Sequence, residues 1–105
     1  MYTRNVSMKL KVNSAKEFTQ TLENEVIPVL RKQKGFKDEI TLIAPERNDA
    51  VGISFWDRKE DAESYNREKY PEILKTLSKV VEGTPRVELF EVANSTSHQI
   101  AAKAA

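Results

Sequence analysis

Six side chains in this 105-residue chain have types and positions that suit chemistry on a bound molecule: Asn5 and Ser7, Ser54 and Trp56, and Tyr65 and Tyr70. An asparagine amide can donate to a substrate oxygen, an indole can stack on a flat ring, and a tyrosine hydroxyl can hold or pass a proton. Together they suit a small hydrophobic or aromatic molecule. Asn5, Trp56 and Tyr65 are the candidate catalytic residues, and Ser7, Ser54 and Tyr70 the candidate substrate contacts. Each also has a plain packing role: Trp56 as core at a strand end, the tyrosines as helix-packing aromatics, Asn5 and Ser7 as polar residues of a strand facing solvent.

Composition removes most other chemistry. Without cysteine there is no thiolate nucleophile, disulfide or cysteine-ligated metal, and the single histidine, His98, excludes a multi-histidine centre. No metal and no cofactor are expected. His98 falls in a polar tail and is expected to be exposed. Glu60, Asp61 and Glu63 suit the first turn of a helix, where they complement its dipole. Arg4, on the otherwise apolar alternation of the first strand, and Arg86, at the start of the last, could bind an anion, but surface ion pairs with the sixteen carboxylates are the expectation for both. No glycine-rich phosphate loop or nucleophile motif occurs. Seventeen basic and sixteen acidic residues are interspersed and leave a net charge of +1, so neither a nucleic acid nor a membrane is an expected partner. No apolar run approaches the roughly 18 residues of a membrane span, and the N-terminal residues lack a signal peptide's apolar stretch, so a cytoplasmic location is expected.

The candidates need a frame to hold them. Residues 2–12 alternate, with Val6, Met8, Leu10 and Val12 on one side and Asn5, Ser7, Lys9 and Lys11 on the other, as a strand requires. Ser14-Ala15-Lys16-Glu17 spells a capping box, and Phe18, Leu22, Val26, Val29 and Leu30 follow at helical spacing. Pro28 interrupts that helix and predicts a kink, and Gly35 ends it. Residues 36–44 and 50–56 read as strands flanking a turn at 45–49. Asp57 is placed to cap the next helix, which Tyr70-Pro71 breaks. Ile73, Leu74, Leu77, Val80 and Val81 form the stripe of the following segment, Gly83 and Pro85 end it, and residues 87–92 alternate as a last strand.

The order strand, helix, strand, strand, helix, strand is that of an α+β, ferredoxin-like βαββαβ domain with a four-stranded sheet and helices on one face. Residues 1–93 form the domain, and 94–105 form a tail that is frayed or ordered on a partner. Strands one and three are expected side by side and parallel, with Asn5, Ser7, Ser54 and Trp56 sharing one face and converging on a cavity that Tyr65 and Tyr70 close. Both faces of the central strands carry apolar residues, and one chain has helices for only one. A homodimer with a twofold axis, packed sheet to sheet, is therefore expected.

The alternating first strand, the segment Glu25-Val26-Ile27-Pro28-Val29-Leu30-Arg31 followed by Lys34-Gly35-Phe36, and the run from Ile53 to Tyr65 (ISFWDRKEDAESY) resemble the antibiotic biosynthesis monooxygenase-like family of dimeric α/β barrels across residues 2–93. The resemblance implies a dimeric barrel whose pocket lies between sheet and helices. It also implies a cofactor-independent monooxygenase, an oxidoreductase in which a small aromatic or quinol-type substrate, once deprotonated, itself activates oxygen. The alternative within the fold is a non-catalytic dimer that binds a ligand or serves as a structural module. The haem-degrading branch is similar at an asparagine and a tryptophan that map to Asn5 and Trp56. Its haem-ligating histidine falls where this chain has Tyr65, Asn66 and Arg67, so haem is not implied.

Overall fold

The computed structural model describes residues 1–100. Strand β1 spans Tyr2–Leu10, β2 Phe36–Ala44, β3 Asp49–Trp56 and β4 Val81–Glu91. Helices α1 (Ala15–Thr21) and α2 (Ile27–Arg31) lie between β1 and β2, and α3 (Lys59–Glu68) and α4 (Tyr70–Leu77) lie between β3 and β4. The strands form one antiparallel sheet in the order β2-β3-β1-β4, the ferredoxin-like α+β arrangement read from the sequence. The expected parallel pairing of strands one and three is wrong. A split βαβ unit makes β1 and β2 parallel, and the strand filling the gap between them must run against both.

Local sequence explains the breaks. Pro28 has no N–H, and the five residues before α2 rewind into a π-turn, Leu22–Val26, in which the Ile27 N–H donates to the Leu22 carbonyl. Gly35 ends this segment at φ 79°, a conformation that side chains with a Cβ disfavour. Pro71 sits in the first turn of α4, where its missing donor costs nothing. Two expected caps are not formed. Ser14 has φ −105° and ψ 1°, off the extended geometry a capping hydroxyl needs, and only its backbone carbonyl receives Phe18 N–H. The Asp57 carboxylate instead faces Lys37 Nζ at 3.5 Å, and α3 begins after an extended Arg58. The last strand starts six residues earlier than alternation suggests, because β4 is an edge strand that tolerates Gly83 and Pro85 opposite a bulge between Ser7 and Lys9.

The helices cover one sheet face. Phe18, Leu22, Val26 and Leu30 from the first helical segment and Ala62, Tyr65, Tyr70, Ile73 and Leu77 from the second pack on Val6, Met8, Leu10, Ala50 and Trp56. The opposite face stays open. Ile40, Leu42 and Phe90 there are 45%, 53% and 50% exposed. The tail returns to that face: the His98 ring lies 5.1 Å from Phe55, with Nε2 3.3 Å from Asp38 Oδ2. The expected exposure of His98 is thus corrected, since its side chain is 20% exposed. The remainder of the tail, residues 101–105, lies outside the described residues. No helix among them is long and apolar enough to cross a membrane.

Candidate functional site

Register decides which candidates meet. In the antiparallel β1-β3 pair, even-numbered residues face even-numbered ones: Tyr2 opposite Trp56, Arg4 opposite Ser54, Val6 opposite Gly52. These project toward the helices, whereas Asn5, opposite Ile53, and Ser7, opposite Val51, project to the open face. The expected convergence of Asn5 and Ser7 with Ser54 and Trp56 is therefore wrong. An antiparallel partner reverses the order in which residues are met, so shared alternation within each strand says nothing about shared faces until the register is known. The Asn5 Oδ1 is buried without a hydrogen-bond partner, on the face away from the helices.

Arg4 takes the place that Asn5 was expected to fill. Its residue is only 3% exposed, which overturns the expectation of a surface ion pair. Nε and Nη2 donate to Asn66 Oδ1 at 3.1 and 2.7 Å, and the guanidinium carbon lies 4.0 Å from the Tyr70 ring centroid and 5.0 Å from that of Tyr65. No carboxylate lies within ion-pair distance of Arg4 among the described residues. Burial pulls its pKa down, and the adjoining tyrosines offset that pull. Burial raises the Tyr70 pKa, and the neighbouring Arg4 offsets part of that rise by its charge and a weak polar contact, while the buried hydroxyl oxygen makes no hydrogen bond of full geometry.

A row of cross-strand neighbours extends the site. Arg4 on β1, Ser54 on β3 and Glu39 on β2 occupy matching positions, so Arg4 and Glu39 stand two strand spacings apart, about 10 Å between Cα atoms. All three line a cavity of about 50 Å³ whose remaining wall is Tyr65, Tyr70 and an apolar shell that includes Met8, Leu22 and Ile73. Gly52, also on the lining, leaves the floor bare: a Cβ there would stand 3.8 Å from Met8 Cε and 3.9 Å from Glu39 Oε2. Glu39 accepts a hydrogen bond from Thr41 Oγ1 and has no ion-pair partner among the described residues. Burial, outweighing that bond and helped by the charge of Asp38, raises its pKa. Arg4 also lines an open cleft of about 420 Å³ beside Asn66 and Arg67, so the guanidinium stands where outside and inside meet.

Trp56 is fully buried and lines no part of this cavity. Its Nε1 donates to Ser54 Oγ at 2.8 Å, and its ring packs edge-on against Phe36 and tilted against Tyr65, centroids 5.6 and 5.3 Å away. It thus holds Ser54 and Tyr65 in place. Tyr65 is itself buried, which pushes its hydroxyl pKa up to about 12 and keeps it protonated at neutral pH. Of the six candidates, then, Ser54, Tyr65 and Tyr70 meet at the cavity, Trp56 stands behind it, and Asn5 and Ser7 are elsewhere. Sequence reasoning missed Glu39 and Asn66, and it weighed Arg4 as a surface ion pair rather than as an anion site. The available signal was Arg4 on the otherwise apolar alternation of Val6, Met8 and Leu10, a charge whose neighbours are all core.

No protein-family model matches the chain, and a comparison with curated protein sequences finds no match. Solved structures do match. A monooxygenase from the gene ActVA-Orf6 of Streptomyces coelicolor, in complex with the ligand nanaomycin D, superposes with a TM-score of 0.75 at 12% identity over 90% of this chain and 88% of that one. A Bordetella bronchiseptica protein named for the antibiotic biosynthesis monooxygenases gives a TM-score of 0.74 at 10% identity, covering 89% of this chain and 97% of that one. The fold is that of the antibiotic biosynthesis monooxygenase-like proteins. A Nitrosomonas europaea protein of unknown function shares it equally well, with a TM-score of 0.75 at 12% identity over 97% of this chain and 95% of that one. A monooxygenase-like fold therefore carries no single substrate with it.

Proposed function

We propose that the cavity between sheet and helices binds a small hydroxylated aromatic molecule as its oxyanion, and that the protein is a cofactor-independent monooxygenase. The observation that carries this reading is a buried arginine with no carboxylate at ion-pair distance among the described residues, although Glu63 lines the cleft outside it and Glu39 the far side of the cavity. Burying a cation without a counter-ion costs several kcal/mol, and the faces of two tyrosines return only part of that. An anionic oxygen seated between the guanidinium and the unpartnered Tyr70 hydroxyl would satisfy both groups. The apolar remainder of the lining suits a ring. The void is smaller than an aromatic ring, so entry requires the wall to yield. Flexible Met8 and the π-turn at Leu22–Val26 are the parts suited to do so.

The chemistry balances without a metal or flavin. A phenol with a free para carbon, once ionised, supplies electrons to dioxygen. One oxygen atom enters the ring as the quinone carbonyl, the other leaves as water, and the ring loses the four electrons that dioxygen gains. Arg4 would hold the ionised oxygen, and Tyr70 would donate to it. The fold shared with the Streptomyces monooxygenase supports the reading. The test is oxygen uptake against a panel of phenols and quinols: uptake of one dioxygen per molecule, abolished in Arg4→Met, supports it. Binding with no uptake selects the non-catalytic ligand-binding alternative, and no binding sinks both.

We also propose that a second copy covers the open sheet face. Ile40, Leu42 and Phe90 present an apolar surface there, and a net charge of +1 offers little repulsion between copies. Sedimentation tests this: a dimer that dissociates on Leu42→Lys supports it, and a monomer at high concentration refutes it.

A further inference from the structure

We infer that Glu39 is the base that ionises the bound molecule, so that the cavity takes acidic hydroxyl compounds, phenols and enols, as neutral molecules and converts them inside to the anion that Arg4 holds. The inference rests on the reading of the cavity as an oxyanion site and assigns it a proton acceptor.

The geometry is that of a two-ended pocket. Arg4 and Glu39 line it from opposite sides of Ser54, one on each strand that flanks β3. Glu39 is the one carboxylate in the lining, and its charge is neutralised by no lysine or arginine among the described residues. Thr41 donates to Oε2, Asp38 repels it, Tyr65 from α3 lies near enough that the Glu39 charge helps raise its pKa, and beside Oε2 lies Gly52, where any side chain would fill the space. A carboxylate in that setting is a stronger base than one in water, because burial disfavours its charged form. Neutral entry also resolves a difficulty of the oxyanion reading, since an anion would have to leave water before meeting its cation. In the step itself, a carboxylate oxygen of Glu39 takes the hydroxyl proton, the O–H bonding pair stays on the substrate oxygen, and the new anion pairs with Arg4. No charge crosses the cavity wall.

Proton accounting tests this. The probe is p-nitrophenol, whose anion absorbs in the visible, titrated into the folded protein below the phenol's own pKa. Proton exchange with solvent is measured by calorimetry in two buffers of different ionisation enthalpy. The expected result is the anion's absorbance with no proton released, because the proton has moved to the protein. Glu39→Gln and Glu39→Ala, each checked for an intact thermal transition, should lose that combination. Either the phenol stays neutral or about one proton appears in the buffer per molecule bound. Retention of the combination in both variants, or wild-type binding of the anion with release of a proton, overturns the role of Glu39 while leaving the oxyanion reading standing. Wild-type binding of the neutral phenol overturns both. Absence of binding overturns the cavity reading and the inference with it.

Discussion

Replacing Arg4 by methionine should separate a functional cation from a structural one. Arg4 makes two hydrogen bonds to Asn66 and two contacts with tyrosine rings, each contributing about 0.5–2 kcal/mol. Against these stands the desolvation of a guanidinium that lacks a carboxylate, several kcal/mol in the other direction. Asn66 is exposed and regains water when Arg4 is removed. Methionine fills comparable apolar volume with a flexible chain. The balance falls within about 1.5 kcal/mol of zero, which at about 4 °C per kcal/mol predicts a Tm change below about 6 °C for a chain of this size. Affinity for a phenolate should respond very differently. Losing the cation of a buried pair costs about 2–4 kcal/mol, or roughly 30- to 700-fold in Kd. Thermal denaturation and p-nitrophenol titration on the same preparation give both numbers. A Tm loss beyond about 12 °C with affinity unchanged would show Arg4 to be a strut between β1 and α3, and the argument from an unpaired cation would fail.

Gly52→Ala should fold normally, since the new Cβ meets Met8 and Glu39 at ordinary contact distance, and should gain up to about 1 kcal/mol from reduced unfolded-chain entropy while phenol binding weakens at least tenfold. Denaturant unfolding and titration together check it. Glu39→Gln should raise Tm at neutral pH. A carboxyl whose folded pKa is raised costs stability above that pKa and costs none below the unfolded value, so the gap between variant and wild type should close as the pH falls toward 4. Alkaline difference spectroscopy should find Tyr65 ionising near pH 12 against an ordinary 10.0. Its contribution is fully present below pH 10, and about 2 kcal/mol should be lost as the pH rises from there to 12, with Tyr65→Phe abolishing that slope.

The elements were legible because alternation, helical stripes and prolines report on local geometry. Phe18, Leu22 and Val26 could only be one helix face, and Pro71 could only begin a turn. The site was half legible. Ser54, Tyr65 and Tyr70 could be picked out as polar groups near apolar runs, but pairing Asn5 with Trp56 required a register that no single strand encodes. Arg4 was legible on the alternation of Val6 and Met8, but nothing local says that its charge lies under two tyrosines rather than beside a carboxylate. Glu39 offered no local signal, because its meaning depends on the bare backbone of Gly52 one strand away. The caps failed for a related reason: Asp57 had a competing partner, Lys37, that only the fold brings near.

In the proposed function the cavity holds an ionised hydroxyl on Arg4 and Tyr70. A crystal of the protein soaked with 4-bromophenol, whose blocked para carbon prevents turnover, tests it directly through anomalous scattering from bromine. The prediction is a ring between sheet and helices, its oxygen within hydrogen-bond distance of the Arg4 guanidinium and the Tyr70 hydroxyl and its bromine toward Leu22 and Ile73. A bromine site on the open sheet face, or in the cavity with the oxygen turned away from Arg4, would contradict it.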